Sequence, residues 1–233
     1  MRLALFSDIH GNLAALEAIL SALREHGPFD ARVCAGDAVF LGPSPGEVLD
    51  RLQAEEIELV RGNADDFVTG LRPPERPPDP RVADLLEQHV TWNRERLRAE
   101  QLEWLRSLPL TRRYGSLCVC HATPESNSES YPQVHLHSEA ELRRVYGSAG
   151  AEAVCFGHYH RPGVTALQGL TLVNISSVSI PFDGQPLAGF TVAEYLQGFW
   201  RFEQHRVPYD LAPEIERMRQ RAMPEPPWPK LPA

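Results

Sequence analysis

Short apolar runs alternate with polar segments along the first sixty residues of this chain. Leu3-Ala4-Leu5-Phe6 predicts a buried strand that breaks into polar Ser7-Asp8-Ile9-His10-Gly11-Asn12. Leu13, Leu16, Ile19, Leu20 and Leu23 then recur at helical spacing until Gly27-Pro28 stops the helix. Ala31 to Ala35 predicts a second strand, ending at Gly36-Asp37. Ser44-Pro45-Gly46-Glu47 has the form of a capping box with proline at the first helical position, so a helix is expected to about Leu52. Ile57 to Val60 predicts a third strand, ending at Arg61-Gly62-Asn63. Strands alternating with helices predict an α/β fold.

The alternation then breaks. Pro73, Pro74, Pro77, Pro78 and Pro80 exclude regular structure over 71–80. Asp79-Pro80 opens a helix with an apolar stripe of Val82, Leu85, Leu86, Val90 and Leu97, and Leu102, Leu105 and Leu108 mark a shorter one. Residues 71–108 are too few for a core of their own, so they read as a helical insert within a single domain over 1–222. Arg112 to Cys120 predicts a strand with a turn near Tyr114-Gly115-Ser116, ending at His121. A second capping box, Ser138-Glu139-Ala140-Glu141, opens a helix to about Tyr146. Ala153 to Phe156 is another strand, ending at Gly157-His158-Tyr159-His160. Val164–Leu167, Leu170–Ile175, Gly189–Tyr195 and Phe199–His205 read as a meander joined by Gly-containing turns. A last helix, Ala212 to Arg221, precedes the Pro-rich tail 223–233, expected to be an extended or disordered appendage.

Composition narrows the function classes. The chain has 233 residues and a formal charge of −8, from 23 Lys and Arg against 31 Asp and Glu. That balance argues against a long electrostatic track for nucleic acid, while leaving room for a small phosphorylated substrate. Cys34, Cys118, Cys120 and Cys155 all lie in apolar runs, so they are expected to be reduced core thiols of a cytoplasmic protein. No apolar stretch approaches a membrane span, and Leu3 to Phe6 is too short for a signal peptide. Oligomeric state is left open.

The candidate chemistry sits where the apolar runs end. Asp8, His10, Asp37, Asn63, His121, His158 and His160 follow strand-like runs in one N-to-C order. In a strand, i and i+2 share a face, so Asp8 with His10, and His158 with His160, could reach one ion together. Asp37 offers a carboxylate able to bridge two cations, and Asn63 a neutral carbonyl oxygen. Two divalent ions about 3.5–4 Å apart can polarise a phosphoryl group and hold a hydroxide for in-line attack. Singly each motif has a plainer reading: Asp8 as a helix cap, Asp37 as a turn residue, His-x-His as chance. The ordered set is what carries the metal reading.

Asp8-Ile9-His10-Gly11-Asn12, Gly36-Asp37, Gly62-Asn63-Ala64-Asp65, His121-Ala122-Thr123-Pro124 and Gly157-His158-Tyr159-His160 together resemble the motif series of the calcineurin-like metallophosphoesterases, in particular the small bacterial and archaeal phosphodiesterase branch. The resemblance implies a four-layer α/β/β/α sandwich of two mixed β-sheets flanked by helices. It implies that Asp8, His10, Asp37 and His160 hold one metal, that Asp37, Asn63, His121 and His158 hold the other, and that Asp37, Asn63 and His121 belong to the catalytic set. Manganese is the first expectation for the two ions, with iron, nickel and zinc as alternatives.

Two positions depart from the family pattern. Ala64 stands where many relatives carry a histidine thought to protonate the leaving group, and Ala122 where they often carry glycine. The expected activity is therefore a phosphodiesterase, with a phosphomonoesterase or protein phosphatase, or a non-catalytic scaffold, as alternatives. Asn12 is either a phosphate contact or the cap of the helix from Leu13, and Arg161 either a partner for a phosphate oxygen or a solvated loop residue. Asp65 either orients a ligand or caps a turn. His135 and His137 either line a pocket or sit on a surface loop.

Overall fold

The computed structural model describes residues 1–129, 131 and 134–227. Its strands are β1 (Arg2–Phe6), β2 (Ala31–Cys34), β3 (Glu58–Leu59), β4 (Thr111–Tyr114), β5 (Leu117–Cys120), β6 (Ala153–Phe156), β7 (Pro162–Leu167), β8 (Leu170–Ile175), β9 (Ala188–Leu196) and β10 (Phe199–Val207). Its helices are α1 (Leu13–His26), α2 (Pro45–Ala54), α3 (Asn63–Thr69), α4 (Pro80–Arg94), α5 (Ala99–Ser107), α6 (Glu139–Tyr146) and α7 (Ala212–Gln220).

Two five-stranded mixed sheets form, ordered β10-β9-β1-β2-β3 and β4-β5-β6-β8-β7. Strands β1, β2 and β3 run parallel, as do β5, β6 and β8, while β9, β10, β4 and β7 are antiparallel to their neighbours. Alternation along the strands builds the layers. Leu3 and Leu5 of β1 point inward with Val33, Leu117, Val119, Cys155, Val173 and Ile175, making a core between the two sheets. Ala4 and Phe6 point the other way, onto α1, α2, α3 and α5. Cys118, Cys120, Val154, Phe156 and Leu172 line the outer face of the second sheet under Tyr146 and Leu142 of α6. The result is the four-layer α/β/β/α sandwich.

Four local expectations are corrected. The last four strands are not one meander: β7 and β8 pair in the second sheet, β9 and β10 in the first, and the chain crosses between sheets after Ile175. The Ser44 side chain does not cap α2. Its Oγ donates to Glu214 Oε2 at 3.4 Å, tying α2 to α7. Asn63–Thr69 forms a helix that the sequence pattern did not mark. The tail is docked rather than free as far as Pro227: Trp92 Nε1 of α4 donates to Arg221 O at 3.3 Å, His89 Nε2 meets Glu225 O at 2.9 Å, and Pro227 is buried. The rest of the tail, 228–233, lies outside the described residues. Asp79 caps α4, and the Ser138–Glu141 box caps α6, as their spacing requires. All four cysteines are free and buried. Among the described residues no helix is long and apolar enough to cross a membrane.

Candidate metal centre

The carboxyl ends of the parallel strands meet along one edge of the sandwich, and the polar segments leaving them are stitched together. Asp8 N–H donates to Gly36 O at 3.0 Å, His10 N–H to Asp37 O at 2.9 Å, and Gly157 N–H to His121 O at 2.9 Å. Asp8, His10, Asp37, His158 and His160 all have positive φ, between 48° and 67°. Asp and His accept this left-handed region better than most residues, at about 1–2 kcal/mol each. These turns, and not an extended i, i+2 alternation, bring each pair to the site. Glycines make the close approaches, two of them directly against Asp37 and Asp8. A Cβ on Gly62 would overlap Asp37 Oδ1, and one on Gly157 would overlap Ser7 Oγ and Asp8 Oδ2.

The donor atoms of Asp8, His10 and His160 lie within 4.8 Å of one another, and so do those of Asp8, Asp37 and His121. All five residues are buried. Asp8 Oδ1 stands 3.2 Å from His160 Nε2 and 3.9 Å from His10 Nε2. Asp37 Oδ2 stands 3.4 Å from His121 Nε2 and 3.8 Å from His10 Nε2. Asn63 Oδ1 is 2.9 Å from His121 Nε2. His158 falls outside both groups: its backbone N–H donates to Asp8 Oδ2 at 3.1 Å, and its ring sits edge-on to His121 with centroids 5.1 Å apart.

This donor set fits divalent cations. His121 Nδ1–H donates to Ala35 O at 2.7 Å, and His160 Nδ1–H to Ile180 O at 2.6 Å. Each carbonyl fixes the tautomer, so in the neutral ring the Nε2 lone pair faces the centre. His10 Nε2 and His160 Nε2 approach to 3.3 Å, and Asp8 Oδ1 is buried without a hydrogen-bond donor. A buried cluster of imidazole nitrogens and carboxylate oxygens at these separations suits a cation between them once the imidazoles are neutral.

A further set of residues holds the candidate ligands. Asp65 is fully buried, and its carboxylate accepts four backbone N–H groups: Asp37 at 3.0 Å, Ala38 at 3.0 Å, Val39 at 3.3 Å and Gly62 at 2.9 Å. It therefore orients the Asp37 loop, the first of the two roles open to it. Burial and then the Asp37 charge push its pKa up to about 7, against the pull of those N–H groups. Asn127 Nδ2 donates to Gly62 O at 3.1 Å and Asp66 Oδ2 at 2.8 Å, clamping the His121 loop onto the start of α3. Ser177 and Ser179 donate to Asp8 O at 3.0 and 3.2 Å. Sequence reasoning missed Asn127 and both serines. Only the polar character of the loop after His121 hinted at the first.

Asn12 caps α1, its Oδ1 accepting Ala15 N–H at 3.0 Å, with its Nδ2 3.4 Å from Tyr209 OH. Arg161 is exposed and lines a cavity of about 470 Å³ with His135, Tyr159 and Phe182. His137 packs edge-on against Tyr131. Ala64 is 1% exposed, donates its N–H to Asp37 Oδ1 at 2.8 Å and packs its methyl into the core with Val68. A larger side chain there has to displace core atoms.

Electrostatics divide the imidazoles. Burial opposes charge on His121, but Asp37, Asp8 and the Ala35 carbonyl together raise its pKa to about 10. Burial and the neighbouring His121 lower His158 to about 4. Burial also opposes charge on Asp8 and Asp37, yet the histidines hold both carboxyls below the usual range. At neutral pH the metal-free centre thus carries a proton on His121 that a cation must displace. Burial opposes charge on His160 too, but the Asp8 carboxylate raises its pKa, so metal binding at pH 7 should release at least one proton, and affinity should rise with pH until His121 titrates near 10. Calorimetry in buffers of different ionisation enthalpy checks this. Proton release near zero at pH 7 would remove His121 from the ligand set.

Comparison with known proteins agrees with this geometry. A family model for the calcineurin-like phosphoesterase superfamily domain matches residues 1–197. A metallophosphoesterase of Sphaerobacter thermophilus is 27% identical, with 97% of this chain and 96% of that one covered and a TM-score of 0.74. A hypothetical protein of Pyrococcus horikoshii OT3, 21% identical over 97% and 95% of the two chains, shares the fold with a TM-score of 0.79. An uncharacterized protein of Methanocaldococcus jannaschii is 25% identical over 96% of this chain and 94% of its own.

Proposed function

The chain belongs to the calcineurin-like phosphoesterase superfamily, and from that premise we propose that it is a dinuclear metal-dependent phosphodiesterase acting on a small phosphorylated substrate. One observation carries the reading: the side-chain donor atoms of Asp8, His10 and His160, and those of Asp8, Asp37 and His121, cluster at one buried place at the strand ends. In the proposed assignment Asp8, His10 and His160 hold one ion, Asn63, His121 and His158 the other, and Asp37 is shared. Two divalent cations there, manganese foremost, would polarise the phosphoryl group and supply the nucleophile near neutral pH.

The chain's own residues then set the limits of the chemistry. Asp37 and Asn63 would hold the ions that engage the phosphoryl group, and His158, with its low pKa, is a neutral lone-pair donor at pH 7. His121, freed of its proton, has its Nε2 lone pair aimed inward by Ala35 O. No side chain at position 64 can hand a proton to a departing alkoxide, because Ala64 is apolar and turned into the core. The buried thiols and the −8 charge support a cytoplasmic enzyme without an extended nucleic-acid surface.

The manganese-loaded protein should carry two ions per chain and hydrolyse an aryl phosphodiester. Its kcat/KM for that ester should exceed that for an alkyl phosphomonoester by roughly 10²–10⁴, the usual contribution of a general acid. Preference for the alkyl monoester would show that another group supplies the proton, and one ion per chain would remove the shared role of Asp37.

A further inference from the structure

An apolar cavity of about 580 Å³ opens beside the centre, with His10 on its wall. We infer that it is the subsite for an aliphatic ester group on the phosphodiester substrate. This rests on the function proposed above and names the class of substrate within it.

Helix α7 supplies the principal wall. Leu211, Ile215 and Met218 are spaced i, i+4 and i+7, so they share one helical face, and that face lines the cavity. Leu211 and Ile215 are 44% and 39% exposed, although they lie on a helix packed against the body of the protein. The helix is anchored instead by fully buried Glu214, which accepts Ala14 N–H at 3.2 Å and Ser44 Oγ–H at 3.4 Å. The apolar face is thereby left to the cavity. Leu41, Ile180 and Pro43 add to the aliphatic lining, and Met223, Pro224 and Pro226 of the docked tail close it.

Some polar groups on the wall are engaged, and the unpartnered Nδ1 atoms of His10 and His89 are buried away from solvent. Ser179 Oγ donates to Asp8 O, and His89 Nε2 meets Glu225 O. Arg219 at the mouth has a side chain 74% exposed to solvent. A nucleobase is recognised by stacking platforms and by free donors and acceptors at its edges, whereas the inner wall here is aliphatic and the charged Arg219 and Glu225 sit at solvent-exposed positions. An alkyl chain needs only area removed from water. Because His10 is both a ligand residue and part of the wall, a chain esterified to phosphorus at the centre enters the cavity directly.

The test compares methyl and hexyl 4-nitrophenyl phosphate with the manganese-loaded protein. Each buried methylene is worth roughly 3- to 4-fold, so hexyl should exceed methyl in kcat/KM by at least roughly 100-fold. Ile215→Asn should cut that ratio at least about tenfold, whereas Glu216→Gln, on the exposed face of α7, should leave it unchanged. Calorimetry with hexyl methylphosphonate, which is not turned over, should show a negative heat-capacity change that Ile215→Asn diminishes. Turnover of both esters at equal kcat/KM would overturn the subsite and leave the phosphodiesterase reading intact. Turnover of neither, with the phosphonate bound and the Ile215→Asn effect present, would sink the phosphodiesterase reading and keep the cavity as an alkyl site. Equal turnover together with a dimer that Ile215→Asn dissociates would assign the face to a second copy of the chain.

Discussion

Asp37→Ala should strip the centre of metal and lower phosphodiester kcat/KM by roughly a thousandfold, about 4 kcal/mol of transition-state stabilisation. Asn63→Ala should cost less on both counts. The difference follows from position. Asp37 Oδ2 stands between His10 Nε2 and His121 Nε2, at 3.8 and 3.4 Å, so one carboxylate fixes the separation of the two donor groups. Its other oxygen, Oδ1, accepts Ala64 N–H at 2.8 Å and so fixes the start of the helix that carries Asn63. Asn63 has one contact in the centre, with His121. Removing Asp37 also takes the closest counter-charge from buried His121, which lowers that residue's pKa and shortens the pH range in which a proton competes with metal. Metal analysis and kinetics on the variant, with circular dichroism confirming the fold, decide the matter. Two ions per chain with wild-type turnover would refute the shared role.

How much of this was legible in the chain depends on which signal each residue carried. The candidate ligands were legible because each follows closely on an apolar strand, and parallel strands place their carboxyl ends on one edge. The layer that each strand face joins was not. Leu3-Ala4-Leu5-Phe6 is apolar at every position, and only the structure shows Leu3 and Leu5 between the sheets and Ala4 and Phe6 beneath the helices. The crossing after Ile175 was hidden for a similar reason, since turn residues mark where a strand ends but not which sheet the next one joins. Helix α3 is too short for its apolar positions to show a period.

The left-handed turns at Asp8, His10, Asp37, His158 and His160 were equally silent, because Asp and His also occupy extended backbone. The last helix was legible only as a helix, and the spacing of Leu211, Ile215 and Met218 is one that ordinarily means packing on the core. That their face borders a cavity follows from Glu214, a buried charge anchoring the helix from its other side, which no local pattern announces.

Asp65 is the residue whose weight the sequence understates most. Asp65→Ala should lower stability by about 4 kcal/mol or more, a large share of the roughly 5–15 kcal/mol that holds a domain together. Four buried N–H groups, of Asp37, Ala38, Val39 and Gly62, would lose their acceptor at once. Each unsatisfied donor costs about 1–3 kcal/mol, less where the loop relaxes to reach water. In a chain of this size the loss corresponds to a melting temperature lower by roughly 8–16 °C. Asp65→Asn separates support of the ligands from stability alone. Its carbonyl can still accept from Ala38 and Val39, but its amide then faces the N–H groups of Asp37 and Gly62, donor against donor. Metal affinity should fall by about 10–100-fold, the usual effect of losing a group that orients a ligand. Melting temperature should drop less than in the alanine variant. If Asp65→Ala melts with the wild type and binds metal equally well, the four hydrogen bonds carry no net weight and the Asp37 loop is held by the strands alone.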